Sequence, residues 1–255
     1  NGRQLNMKVK EDRDYLIDWY IDTVCEKFGA GNYDYIDFSG FYWFDESIAY
    51  SPDAAVYAGT KVHERDMHFF WIPYFGTTGG HWDEAFGIDA TAIQPNHYFG
   101  EGYLKNDKGY IGNDRVKNTA RLASYGQVGI EMEVDGGAAR TVENANKFID
   151  YLNGSIDYGF GGPDVYRNWY VGGYGGLASF AISDKAEARN IYDSCYQLMK
   201  GTLTEKIPYV TEFHDATPVD PIAPGGSSGG GSIGGGSGSG GGGSVTPKPD
   251  DKPDP

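Results

Sequence analysis

Three glutamates could do chemistry, and their setting singles them out. The segment QVGIEMEV, residues 127–134, alternates strictly, and Asp135 extends the pattern. On a strand, Gly129, Glu131, Glu133 and Asp135 share one face, and Ile130, Met132 and Val134 share the other. The apolar set must face covering helices, so the acids point into a barrel or cleft. Inward carboxylates are costly unless paired or used. The plain alternative is an ion-pair network with a Lys or Arg brought from elsewhere. The third glutamate, Glu46, closes the stretch YDYIDFSGFYWFDE at 33–46. Ile36 and Phe38 alternate there with Asp37 and Ser39, which predicts a strand over 33–42 that runs out into aromatic residues and then carboxylates.

Two carboxyls across a sugar bond are what glycoside hydrolysis uses: one protonated to donate to the leaving oxygen, one ionised to attack or to activate water. Glu46 fits the acid/base role, with Tyr42, Trp43 and Phe44 raising its pKa by desolvation. Glu133 lies nearer the strand's C-terminal end and is the preferred nucleophile or base. Glu131, roughly 6.6 Å deeper, is the alternative. A separation of about 5–5.5 Å would favour retention, and about 6.5–9.5 Å inversion. The same face logic offers Gln94, Asn96 and Asp135 as hydrogen-bonding groups for sugar hydroxyls. Tyr42, Trp43, Trp71, Tyr74, Tyr98 and Tyr170 are offered as rings that stack on sugar faces.

These residues need a scaffold, and the order of the chain supplies one. Apolar periodicity predicts helices over 12–28, 51–65, 114–125, 139–152 and 185–203, with a short helix or turn at 81–86. Strands are expected at 33–42, 68–75, 89–94, 127–134 and 168–173. Residues 100–112 read as an irregular loop and 153–163 as a Gly-rich connection, in which Asn153-Gly154-Ser155 has the form of a glycosylation sequon. Five β/α units in alternation argue for a parallel sheet with right-handed crossovers. The spacing of roughly 35 residues suits a (β/α)8 barrel, of which five units would be the C-terminal part. With 168–173 as strand eight, Glu46 follows strand four and Glu131 and Glu133 lie on strand seven. That is the arrangement of a large class of retaining glycoside hydrolases.

The globular region is expected over 1–223. Residues 224–255 are Gly/Ser-rich and then Pro-rich, the composition of a disordered linker leading to a further module. The net charge is −15, and 20 Tyr and 5 Trp raise the aromatic share to 15%. Such acidity argues against a nucleic-acid partner. No apolar run reaches membrane-spanning length. No G-x-G-x-x-G or P-loop follows a strand, no G-x-S-x-G is present, and the five His lack metal-ligand spacing, so no cofactor or metal is expected. Cys25 and Cys195 are each placed on a helix, at opposite ends of the folded region; a closed barrel allows them to be near, and the sequence leaves open whether they meet.

Four motifs carry a family resemblance: GFYWFDE at 40–46, WIPYF at 71–75, GIDATAIQPNHYF at 87–99 and GIEMEVD at 129–135. Over roughly 14–203 the chain resembles the domain-of-unknown-function 4855 family of bacterial proteins, which is grouped with TIM-barrel glycoside hydrolases. The resemblance implies a barrel whose first strands precede this sequence, and the matching residues Glu46, Glu131 and Glu133. Together the readings lead to a secreted or cell-surface bacterial glycoside hydrolase acting on a polysaccharide or glycan. A non-catalytic glycan-binding or structural barrel is the alternative.

Overall fold

The computed structural model describes residues 2–77, 86–100, 105–106, 109–110, 114–173 and 175–216. The expected turn at 81–86, most of the loop at 100–112 and the 224–255 linker lie largely or wholly outside them. The chain divides at Thr217, and the first unit, Asn1–Thr217, holds all the secondary structure considered below.

In chain order the elements are α1 (Lys10–Gly31), β1 (Gly40–Trp43), α2 (Pro52–His63), β2 (His68–Trp71), β3 (Ala90–Ile93), β4 (Lys105–Asn106), β5 (Gly109–Tyr110), α3 (Asp114–Gly126), β6 (Gly129–Glu133), α4 (Val142–Asp157), β7 (Arg167–Tyr170), α5 (Ala178–Ala181) and α6 (Ala186–Met199). Five strands form one parallel sheet in the order β1-β2-β3-β6-β7, curled as a half-barrel. β4 and β5 make a separate antiparallel pair.

In a parallel sheet, residues in register share a face. Phe41, Trp43, Phe69 and Trp71 turn outward into an apolar cluster with Ile21 of α1 and Ala55, Ala58 and Val62 of α2. Ile130, Met132 and Val134 turn outward into a second cluster with Val116 of α3, Phe148, Ile149 and Leu152 of α4, and Ile191 and Leu198 of α6. The opposite, inner face carries Tyr42, Phe70, Ala92, Glu131 and Asn168. Small residues let α2 approach closely: a Cβ on Gly59 would come within 2.8 Å of the Phe86 carbonyl.

The ends of several elements differ from the sequence reading. The first strand begins at Gly40, not at 33, because pairing with β2 starts at Gly40↔His68. Ahead of it Tyr35 and Ile36 are exposed, and Phe38 stacks between Phe28 and Phe41 instead of alternating along a strand. α4 starts at Val142, capped by the Thr141 hydroxyl, and runs through the supposed Gly-rich connection to Asp157. Gly154 is buried inside it, where a Cβ would lie 2.9 Å from Val116. Cys25 packs on the first cluster and Cys195 is buried in the second, so the two do not meet. No described helix is long and apolar enough to cross a membrane.

Candidate active site

Pleating sends Glu131 to the inner face, where Asn168 of β7 donates to its Oε1 at 2.8 Å and Gln94 also hydrogen-bonds it. Glu131 is 2% exposed and Glu133 is fully buried. Glu133 Oε2 accepts from the Tyr151 hydroxyl of α4 and from His97 N at 3.1 Å, and the Asn96 main chain also favours the charged carboxyl. Its other oxygen, Oε1, is buried without a hydrogen-bond partner among the described residues. Main-chain donors become available because the chain turns sharply after β3, with Asn96 in the left-handed region at φ 50°.

Burial dominates the electrostatics. It pushes the Glu131 carboxyl up to about 7, the charge of Glu133 adds to the rise, and the Asn168 and Gln94 bonds oppose it. Burial likewise raises Glu133 to about 7 against its three donors. The charge of Glu46 bears on both glutamates and on Tyr42, so the three carboxylates belong to one electrostatic unit. Tyr42, half-buried between Glu131 and Glu46, is raised to about 12, first by desolvation.

The expected desolvation of Glu46 is absent. Glu46 is exposed, Phe44 is 85% exposed, and Trp43 turns to the helix side against Phe69. Its main-chain carbonyl is what is engaged, by Tyr74 N and the Thr77 hydroxyl.

The remaining candidates divide. Tyr42 and Tyr170 present partly exposed rings near the carboxylates, Tyr170 in edge contact with Phe99. Tyr74 stacks on Phe75, and its main chain bridges to Gln94. Trp71 turns to the outer face, lies in the α1–α2 cluster and donates to the Asp45 carbonyl at 2.8 Å, so it is not offered to a ligand on the inner face. Tyr98 is buried and donates to Asp135 Oδ1 at 2.7 Å. Asp135 also accepts from Gly137 N at 2.7 Å, capping the turn Gly136–Ala139. Both are occupied in holding the loop after β6. Asn153 is likewise buried, so the sequon is not presented.

Four participants, His97, Asp150, Tyr151 and Asn168, were not singled out from the sequence. His97 and Asp150 are fully buried and paired, Nε2 to Oδ2 at 2.8 Å. Only the fold reveals them: α4 is buried almost all round from Lys147 to Ser155, and polar side chains inside such a helix need partners. Among the described residues no group of three or more His, Cys, Asp or Glu could hold a metal ion. A cavity of about 1080 Å³ opens at the other end of the strands, beside Asp89, Thr91, Gln127 and Tyr166, away from these carboxylates.

Residues 3–197 match the family model described as Domain of unknown function (DUF4855). The chain belongs to that family. No curated protein and no solved structure is significantly similar to it.

Proposed function

We propose that this family member is the carboxylate-bearing part of a glycoside hydrolase. Its five strands would belong to an eight-stranded (β/α) barrel, and its substrate would be a polysaccharide or glycan. The observation that carries the proposal is Glu133: a buried carboxyl raised to about 7, with one oxygen held by the Tyr151 hydroxyl and His97 N and the other without a hydrogen-bond partner among the described residues. Such a group is protonated below neutral pH and suits a general acid. Exposed Glu46 then serves as the partner carboxyl across the sugar bond, and Glu131 shares charge with the acid from one residue pair deeper. These roles reverse the sequence-based assignment of Glu46 as acid and Glu133 as nucleophile, because burial lies on the Glu133 side. Tyr42, Tyr170 and Phe99 supply ring faces, and this chemistry calls for no metal or cofactor. A secreted or cell-surface bacterial setting, with a further module beyond the linker, completes the reading.

The test is hydrolysis of a panel of bacterial and host polysaccharides by the protein and by Glu133→Gln and Glu46→Gln. On this proposal each variant loses about 10²–10⁴-fold in kcat with its circular dichroism unchanged. The kcat/KM of the unaltered protein falls as pH rises through about 7 and Glu133 loses its proton. Glycan binding without turnover, indifferent to both substitutions, would leave a glycan-binding barrel instead.

A further inference from the structure

The segment that follows α6 lies outside the family match, which ends at residue 197. It crosses back over α4 as a strap, and side chains of α4 hold its main chain at two points. Asn153 donates through Nδ2 to the Ile207 carbonyl at 3.0 Å and accepts from Ile207 N at 2.9 Å. About two turns earlier on α4, Asn146 does the same for Val210, at 2.9 and 2.7 Å. Between these clamps, Tyr209 donates its hydroxyl to Asp150 Oδ1 at 2.7 Å. Asp150 then uses Oδ2 for His97 Nε2, and His97 N donates to Glu133. A carboxylate that accepts at both oxygens fixes the direction of both bonds, so His97 carries its proton on Nε2.

We infer that the strap, through Tyr209, is a positioning element for Glu133. It holds Asp150, Asp150 holds the His97 ring, and the ring fixes the peptide whose N–H grips the Glu133 carboxyl. The inference rests on Glu133 being the working carboxyl, but the wiring itself can be read without turnover. Other groups acting on Glu133 are Tyr151 from α4, the Asn96 main chain and Glu46, and the charge of Glu133 acts on Glu131; Tyr151 shares the apolar cluster of Val210 but directs its hydroxyl to Glu133 and not to the strap.

The experiment is proton nuclear magnetic resonance of the full chain, observing the His97 Nε2–H, beside glycan hydrolysis. In Tyr209→Phe, Asp150 loses a competing donor, its bond to His97 tightens and the resonance moves downfield. Asp150→Asn, which offers a weaker acceptor of the same shape, moves it upfield. Lys206→Ala breaks a strap ion pair with Asp157 that lies off this path and leaves it in place. For hydrolysis, Tyr209→Phe lowers kcat about tenfold with KM unchanged, and Lys206→Ala does neither. A resonance unmoved in both Tyr209→Phe and Asp150→Asn overturns the inference, even if hydrolysis by the unaltered protein is confirmed. A resonance that moves as expected in a protein that cleaves no glycan sustains the wiring and removes the hydrolase reading.

Discussion

At the scale of the residue, the central fact is that two carboxyls on one strand are buried deeply enough to hold protons near neutrality. This has a consequence for stability as well as for chemistry. In the unfolded chain each ionises around 4.5, and in the folded protein each does so near 7. The folded state therefore binds more protons between those values. Its stability is complete below about 4.5 and is lost as pH rises through 7. Each group acting alone would contribute on the order of 3 kcal/mol, and the coupled pair less than twice that. Thermal melts should show a Tm that falls from pH 5 to pH 8. Glu131→Gln should flatten that fall and raise the Tm at pH 8, since a neutral amide keeps the shape without the buried charge. A Tm that climbs over the same interval would contradict the burial argument. The strand's alternation made the inward placement of these acids legible. It did not reveal their partners. Asn168 lies 37 residues from Glu131, and Asp150 lies 53 from His97. Those pairings depend on where crossovers bring the chain back, which periodicity does not encode.

At the scale of the element, order and type were readable and ends were not. Near-continuous apolar runs at β2 and alternation at β6 gave strands, and amphipathic spacing gave α3, α4 and α6. The alternation of Ile36 and Phe38 predicts a strand from 33, but pairing, not pattern, sets where a strand begins, and it begins at Gly40. Gly154 reads as a breaker that ends α4 at 152, yet the helix runs on to Asp157. Gly154 is instead the small residue that lets α4 lie against Val116 of α3. Two substitutions test how elements are held. In Gly129→Ala the new methyl would stand 2.3 Å from the Tyr166 carbonyl, a main-chain atom that cannot swing away. The strands β6 and β7 must part, and urea melts should record a loss of at least about 2 kcal/mol. Asn153→Ala removes both bonds to Ile207 and strips the strap of one clamp. A loss of about 2–3 kcal/mol is expected, together with faster proteolytic cleavage within 203–216. Unchanged cleavage would mean that apolar packing of Ile207, Val210 and Phe213 holds the strap without the amide.

At the scale of the whole molecule, the two apolar clusters divide the work of one curled sheet. One lies under α1 and α2 beside β1 and β2, the other under α3, α4 and α6 beside β6 and β7. The last buried apolar residue of either is Val210, and the first compact unit closes at Thr217. Composition places the boundary near 223, at the Gly/Ser and Pro-rich stretch, and it is legible there because such residues bring almost no apolar surface to bury. The tail's charge is also nearly neutral, two Lys against three Asp, so the acidity sits almost entirely on the globular unit. Two expectations follow for a chain ended at residue 217. Its Tm should stay within about 1 °C of the full chain, since a change of 1 kcal/mol in a domain this size moves Tm by about 2–4 °C. It should also keep the His97 resonance, because Tyr209 and both Asn clamps are retained. Ending the chain at 202 instead removes the strap, opens the α4 face that carries Asn146, Asp150 and Asn153, and should lower Tm by more than about 5 °C. Equal melting of the two truncations would mean that the strap contributes nothing to the fold.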